Sequence, residues 1–186
     1  MSILSNKSQL YSENIAALND KGDVLTYQDL GEFSAKVGSL IERRTLVCCL
    51  CENTMAAMIG YFSFIENEIV PIMVDDSIDK DLLENICNVY EPEYVWMPSE
   101  RSDLFANRDL VFSLDDYLLI RIGQKARFPL HDDLAVLLST SGSTGSPKFV
   151  RVSYANLKAN ADSIAEYLEI QSLDRPVTTL PMSYSY

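Results

Sequence analysis

The sequence contains Leu134-Ala135-Val136-Leu137-Leu138, followed at once by Ser139-Thr140-Ser141-Gly142-Ser143-Thr144-Gly145-Ser146-Pro147-Lys148. The continuous apolar run predicts a buried strand, and the hydroxyl-rich segment predicts the loop that leaves the end of that strand. Glycines allow the backbone N–H groups of such a loop to point inward, hydroxyls add further donors, and Lys148 adds a compact positive charge. These are the groups needed to hold a polyphosphate.

The loop differs from a Walker A loop, in which a Gly-Lys-Ser/Thr sequence opens a helix. Here Pro147 precedes Lys148, and Phe149-Val150-Arg151-Val152 predicts a second strand. The alternative interpretation is a solvated Ser/Gly linker. Apolar strands bracket the loop closely on both sides, which argues against a linker and favours a phosphate-binding loop.

Apolar strands alternate with helices in the chain before this loop. Strands are predicted at 46–51, 70–74 and 94–97, with one helix starting at Asn53 or Thr54 and another spanning 79–89. Short connections between alternating strands and helices are typical of an open, doubly wound sheet. The sequence therefore predicts an α/β fold with a mainly parallel sheet and helices on both faces, in which these three strands are adjacent and parallel.

We expect one domain, since the chain has 186 residues, and the remaining predicted elements fall into two stretches of it. In residues 1–130, one helix is predicted at 5–18, and another is predicted to follow a capping box formed by Thr26 and Asp29. A hairpin is predicted at 110–122. In residues 131–186, the order is strand, loop, strand, helix (153–168) and strand (177–180).

The composition limits the classes of partner. Charged residues number 15 basic and 27 acidic, which gives a net charge of −12 without a basic cluster, so nucleic acid and anionic membrane surfaces are excluded as main partners. The N-terminus lacks the pattern of a signal peptide, and the most apolar stretch, 55–74, is interrupted by Glu66, Asn67 and Glu68. We therefore expect no membrane span and a cytoplasmic protein.

The cysteines and the histidine give weak metal-binding signals. Cys48 and Cys49 point to opposite faces of a predicted strand, and Cys49 and Cys51 share a face without a second ligand pair. We interpret the three as small buried hydrophobic residues in a reducing compartment. His131 precedes two aspartates, which leaves weak metal binding or a general-base role open, but an exposed loop histidine is the favoured interpretation.

Two motifs in order resemble those of a known family. The segment 140–148 resembles the phosphate-loop signature of the adenylate-forming (AMP-binding) superfamily, which includes acyl-CoA synthetases and the adenylation domains of peptide synthetases. The lead-in 132–135 and the helix start 153–157 are similar to the family's flanking segments. Leu180-Pro181-Met182-Ser183-Tyr184-Ser185-Tyr186 resembles the next family motif, in which an aromatic residue or a histidine borders the acyl pocket.

The resemblance implies a two-step reaction. A small carboxylic acid attacks the α-phosphate of ATP, giving an acyl-adenylate and pyrophosphate with the help of Mg²⁺, and the thiol of CoA or of a phosphopantetheine on an acyl-carrier protein then takes the acyl group. It also implies a role for each matching position. The β- and γ-phosphates would be bound by Thr140, Ser141, Gly142, Ser143, Thr144 and Gly145; Lys148 would steady the loop or the departing pyrophosphate; Tyr184 would border the substrate; Thr144 would be a weak Mg²⁺ ligand.

The family's adenine, ribose, hinge and catalytic-lysine elements would follow Tyr186, so we expect the chain to be the N-terminal part of the large domain of such an enzyme. Alone, it is then expected to bind ATP weakly, with roughly millimolar affinity, and to catalyse no adenylation. Two other classes remain open. One is a non-catalytic nucleotide- or phosphate-binding module, and the other is an interaction protein in which the Ser/Gly loop is incidental.

Overall fold

The fold is built on a seven-stranded sheet. The computed structural model describes residues 10–124, 129–139 and 148–183. The strands are β1 (Ile15–Leu18), β2 (Val24–Thr26), β3 (Leu46–Cys51), β4 (Val70–Asp75), β5 (Tyr94–Pro98), β6 (Asp109–Leu114), β7 (Tyr117–Arg121), β8 (Leu134–Ser139) and β9 (Phe149–Ser153). The helices are α1 (Tyr27–Leu40), α2 (Met55–Glu66), α3 (Lys80–Tyr90), α4 (Tyr154–Tyr167) and a 3-10 helix (Ser99–Phe105).

Parallel strands form the centre of the sheet and antiparallel strands form its edges. The order is β6-β7-β5-β3-β4-β8-β9, and β1 and β2 form a separate hairpin. The pairings of β3 with β4, β3 with β5 and β4 with β8 are parallel, which confirms the three adjacent parallel strands. The predicted hairpin is β6–β7, and β7 joins β5 antiparallel. The α/β fold is therefore confirmed with a mixed sheet. The short connections from β6 to β7 and from β8 to β9 favour antiparallel pairing, and β7 also pairs antiparallel with β5.

Helices cover both faces of the sheet. Side chains of β3 alternate between the faces, so Val47 and Cys49 pack with residues of α1 and α2. Cys48 and Leu50 pack on the opposite face with Leu83 and Ile86 of α3. Because both faces are covered, β3 is apolar at every position, and β4 and β8 are apolar up to their last residues, Asp75 and Ser139.

Hydroxyl and carboxylate side chains begin the helices. The predicted capping box is present: the Thr26 side chain accepts from the Asp29 N–H, and the Asp29 side chain accepts from the Thr26 N–H. Thr54 caps α2, and Asp79 caps α3. Ser153 and Asn156 form a second capping box at the start of α4. These caps satisfy N–H groups that a helix leaves without a partner at its first turn.

Two elements were predicted wrongly. The helix predicted at 5–18 is wrong beyond Leu10: Leu10 is helical, but residues 15–18 form β1, which pairs with β2 around a turn. In that turn, Asn19 Oδ1 accepts from the N–H groups of Lys21 and Asp23, and Gly22 has a φ of +87°. The strand predicted at 177–180 is irregular and exposed in the structure, and it pairs with none of the described strands.

The cysteines of β3 are core residues. Cys48, Cys49 and Cys51 are all buried, and together with half-buried Cys87 they carry free thiols. Burial raises the pKa of the Cys49 thiol well above its usual value and raises the pKa of Cys51 to about 12. These thiols therefore stay protonated at neutral pH and pack as small apolar groups, as predicted. Among the described residues, no helix has the length and apolarity needed to cross a membrane.

Gly60 allows α2 to approach the Trp96 ring closely. A Cβ atom at position 60 would lie 2.2 Å from Trp96 Nε1. The indole is 4% exposed and is packed by the rings of Phe64 and Tyr117, with ring centroids 6.3 and 5.2 Å away. The ring therefore has little room to move aside.

We expect Gly60→Ala to lower the free energy of unfolding by about 1–3 kcal/mol, because overpacking outweighs the helix propensity gained from alanine, about 1 kcal/mol. Urea unfolding followed by circular dichroism measures the change. In a Trp96→Phe background, which removes the five-membered ring, Gly60→Ala should lower the free energy of unfolding by a smaller amount. Equal costs in both backgrounds would show that the indole contact is not the cause.

Candidate functional site

The carboxyl ends of β3, β4 and β8 lie side by side at one edge of the sheet. The chain leaves β3 towards α2 on one face and leaves β4 towards α3 on the other face. Where neighbouring connections diverge in this way, a crevice opens above the strand ends, and ligands of open α/β sheets bind there. Asn53 follows β3, Asp75 ends β4 and Ser139 ends β8, so these three side chains border the crevice.

The predicted phosphate loop connects β8 to β9 at this edge. Ser139 is paired with Phe149 in the antiparallel register, so the loop begins and ends at the same place. Lys148 directly precedes β9, and its side chain is exposed. The other loop residues predicted to bind the nucleotide lie outside the described residues: Thr140, Ser141, Gly142, Ser143, Thr144 and Gly145.

The second motif docks against the same strand ends. Ser139 Oγ donates to the Ser183 carbonyl oxygen at 3.3 Å, and Ser183 Oγ donates to Asp75 Oδ2 at 3.5 Å. Ser183 is buried, and the neighbouring Met182 packs against the core. The fold thus brings together two motifs that are about forty residues apart in the sequence. Tyr184, the predicted substrate-pocket residue, lies outside the described residues.

Asn53 also holds this segment, and its role was missed in the sequence. Asn53 Nδ2 donates to the Leu180 carbonyl oxygen at 2.9 Å, and the Met182 N–H donates to Asn53 Oδ1 at 3.2 Å. The sequence suggested Asn53 only as a possible helix start, whereas the helix cap is Thr54. The available signal was position: a polar residue directly after a buried strand of an α/β sheet lies at the edge where ligands bind.

The charge around the strand ends is negative. Burial, followed by the nearby carboxylates of Asp76, Asp116 and Glu100, raises the pKa of Glu52. The Tyr117 hydroxyl donates to the Leu50 carbonyl oxygen and accepts from the Glu52 N–H, both at 3.0 Å, which fixes the end of β3. Burial strongly raises the pKa of that phenol. These carboxylates oppose the binding of a polyanion at this edge.

Within the described residues, no group of three or more His, Cys, Asp or Glu side chains is arranged to hold a metal ion. His131 is exposed, as predicted, and its Nδ1 accepts from the Asp133 N–H at 3.2 Å. This contact belongs to the turn before β8.

A groove of about 830 Å³ lies elsewhere, between α3 and the segment that follows the 3-10 helix. Its lining includes Cys87, Arg108 and Gln124 but no residue of the two motifs. We place the candidate site at the strand ends and not in this groove, because polar groups from separate segments converge at the strand ends.

The model of the family described as AMP-binding enzyme matches residues 5–186. The chain belongs to the AMP-binding enzyme family. It is 26% identical over 170 residues to a D-alanine--D-alanyl carrier protein ligase of Staphylococcus epidermidis, covering 87% of this chain and 33% of the relative. It is 29% identical over 160 residues to a nonribosomal peptide synthetase of Curvularia clavata, covering 78% of this chain and 1% of the relative. The chain thus spans one third or less of the length of these relatives.

Solved structures of AMP-binding enzymes share the fold. An O-succinylbenzoate coenzyme A synthetase of Bacillus subtilis, in complex with ATP and magnesium ion, superimposes with a TM-score of 0.74 at 16% identity, covering 97% of this chain and 51% of that one. A long-chain-fatty-acid-CoA ligase of Archaeoglobus fulgidus gives a TM-score of 0.75 at 18% identity, covering 97% of this chain and 42% of that one. The predicted family and the predicted fold are confirmed.

We expect Glu52→Gln to stabilise the protein at neutral pH. A carboxyl group with a raised pKa in the folded state binds its proton more tightly there, so its negative charge costs stability once the pH exceeds that pKa. Below the ordinary glutamate pKa, about 4.3, residue 52 is neutral in both variants and the difference should vanish. Denaturant unfolding over a pH series measures the effect.

Glu68→Gln provides a contrast of opposite sign. The hydrogen bond from Arg43 lowers the pKa of Glu68, so this charge stabilises the folded state above the ordinary glutamate pKa. Glu68→Gln should therefore be destabilising at neutral pH, with a difference that shrinks as the pH falls. If both variants shifted stability in the same direction at neutral pH, the raised pKa assigned to Glu52 would be wrong.

Proposed function

We propose that the full-length protein activates a small carboxylic acid with ATP and passes the acyl group to a thiol. In the first step a carboxylate oxygen attacks the α-phosphorus, the bond to the bridging oxygen breaks, and pyrophosphate leaves. In the second step a thiolate attacks the acyl carbon and AMP leaves. The first step replaces a poor leaving group on the acyl carbon with a good one, which makes the second step possible.

The observation that carries this proposal is the contact between the two motifs. The hydrogen bond from Ser139 to the Ser183 carbonyl oxygen joins the start of the phosphate loop to the segment that leads to Tyr184. A reaction between a nucleotide phosphate and a carboxylate requires both binding segments to meet within a few ångströms. The strand ends of this fold supply that meeting point.

The residues of this chain then have distinct roles. The loop Thr140–Gly145 binds the β- and γ-phosphates through its N–H and hydroxyl groups, and Lys148 steadies the loop or the pyrophosphate as it leaves. Tyr184 borders the acyl carboxylate. A lysine beside the departing phosphate stabilises charge that develops in the transition state. The carboxylates of Asp76, Asp116 and Glu100 near this edge oppose a polyanion, so the attraction has to be local.

The protein residues proposed for this site fit Mg²⁺ only when the nucleotide is also bound. Mg²⁺ prefers oxygen ligands and is commonly bound by one or two protein groups plus substrate phosphates. Thr144 and the phosphate oxygens would hold the ion, as the family resemblance implies. When bound, Mg²⁺ neutralises charge on the phosphates as pyrophosphate leaves.

The acceptor is the thiol of CoA or of a phosphopantetheine on a carrier protein. The names of the curated relatives, a carrier protein ligase and a peptide synthetase, support the carrier protein, and the names of the solved structures support CoA. We place the reaction in the cytoplasm, where ATP and these thiols are available and where the free thiols of β3 remain reduced.

The two alternative functions, a non-catalytic nucleotide-binding module and an interaction protein, would give different experimental results from an enzyme. A binding module would protect the loop from proteolysis when ATP is added but would support no exchange of pyrophosphate into ATP with any carboxylate. An interaction protein would show neither effect. Carboxylate-dependent ATP–pyrophosphate exchange by the full-length protein, assayed with a panel of amino acids, aryl acids and fatty acids, therefore tests the proposal.

We expect Lys148→Ala in the full-length protein to slow adenylate formation by at least about tenfold, since a hydrogen bond to a charged group contributes on the order of 1.5–3 kcal/mol. Thiol transfer from preformed acyl-adenylate, measured in a single turnover, should change little because pyrophosphate has already left. Lys158→Ala is the matched control, since Lys158 is an exposed lysine of α4 that pairs with Asp162. An unchanged exchange rate in Lys148→Ala would remove the role proposed for this lysine.

A further inference from the structure

The carboxamide of Asn53 forms hydrogen bonds on both sides of Pro181. Its Nδ2 donates to the carbonyl oxygen of Leu180, and its Oδ1 accepts from the N–H of Met182. One residue of a parallel strand bonds in the same way to the residues before and after its partner. Pro181 itself has no N–H group to donate. The segment around it is not a strand, and the Asn53 side chain supplies the two hydrogen bonds that a neighbouring strand would supply.

Asn53 is itself held on rigid elements. The residue before it, Glu52, donates its N–H to the Tyr117 hydroxyl, and that hydroxyl donates to the Leu50 carbonyl oxygen, so the end of β3 is fixed from both sides. The residue after it, Thr54, caps α2 by accepting from the Ala57 N–H at 3.2 Å. A side chain anchored in this way can hold a flexible segment in a defined position.

The two hydrogen bonds from Asn53 to residues 180 and 182, called the clamp below, act only at the end of the segment 177–183. Val177 is 83% exposed and Leu180 is 52% exposed, whereas Ser183 is 4% exposed. The chain therefore changes from exposed to buried across the two hydrogen bonds to Asn53. Ser139 and Asp75 bond to Ser183 only after that point.

We propose that Asn53 is a positioning residue for the acyl pocket, which rests on the proposed function. It fixes the backbone of residues 180–182 and thereby sets the start of the path that leads through Ser183 to Tyr184, the residue proposed to border the carboxylic acid. Both ends of its carboxamide bond to residues 180 and 182, so it acts through that backbone. Its loss should therefore weaken binding of the carboxylic acid and leave binding of ATP largely unchanged.

The first test measures the clamp directly by hydrogen–deuterium exchange of the Met182 amide in the full-length protein. Asn53→Ala should accelerate exchange at Met182 by roughly tenfold, because a neutral hydrogen bond contributes about that factor to an equilibrium constant. Asn53→Asp keeps an acceptor for the Met182 N–H but loses the donor to Leu180, so it should retain more protection. Asn85→Ala, an exposed asparagine of α3, is the control and should leave Met182 unchanged.

The second test measures the KM values in ATP–pyrophosphate exchange. Asn53→Ala should raise the KM for the carboxylic acid roughly tenfold and change the KM for ATP less than about twofold, with Asn53→Asp in between. Equal rises in both KM values, or an unchanged KM for the acid, would overturn the positioning role. Should Asn53→Ala fail to fold, Asn53→Asp supplies the same comparison.

The two tests separate failure of this inference from failure of the proposed function. If no carboxylic acid supports exchange by the wild-type protein, the proposed function fails and the positioning role fails with it, whatever the Met182 amide shows. If wild-type exchange is present but the Met182 amide is equally protected in Asn53→Ala, the clamp is overturned while the proposed function stands.

Discussion

The burial of β3 on both faces is the constraint on which the rest of the structure depends. Every residue of Leu46–Cys51 is buried, so helices must cover the strand from both sides. The connection from β3 to β4 passes on one face, and the connection from β4 to β5 returns on the other and places β5 against the free side of β3. This double winding opens the crevice at the carboxyl ends of the strands.

The crevice collects residues that are distant in the sequence. Asn53, Asp75 and Ser139 follow or end three neighbouring strands, and each bonds to the segment 180–183. The motif that resembles an acyl-pocket segment thus lies against the end of the strand that carries the phosphate loop. Burial, followed by the nearby carboxylates of Asp76, Asp116 and Glu100, raises the pKa of Glu52 at this edge. In the function proposed above, the attraction for phosphate comes from the loop and Lys148.

The central fold was predictable because its signals are local. Apolar runs at 46–51, 70–74 and 94–97, separated by helices with hydroxyl or carboxylate caps, specify a parallel α/β sheet before any tertiary contact is known. The failures lie where local preference is weak. Residues 15–18 are apolar enough for a helix, but the Asn19–Gly22 turn and the pairing with β2 decide for a strand.

The sequence by itself determined the fold class and the family, because each depends on short patterns of neighbouring residues. Only the tertiary structure decided which groups meet the second motif. An asparagine before a helix has the pattern of an N-cap, and its hydrogen bonds to Leu180 and Met182 appear only when the strand end and a distant irregular segment are brought together. Side-chain contacts to irregular backbone follow from the three-dimensional path of the chain, which leaves no periodicity in the sequence.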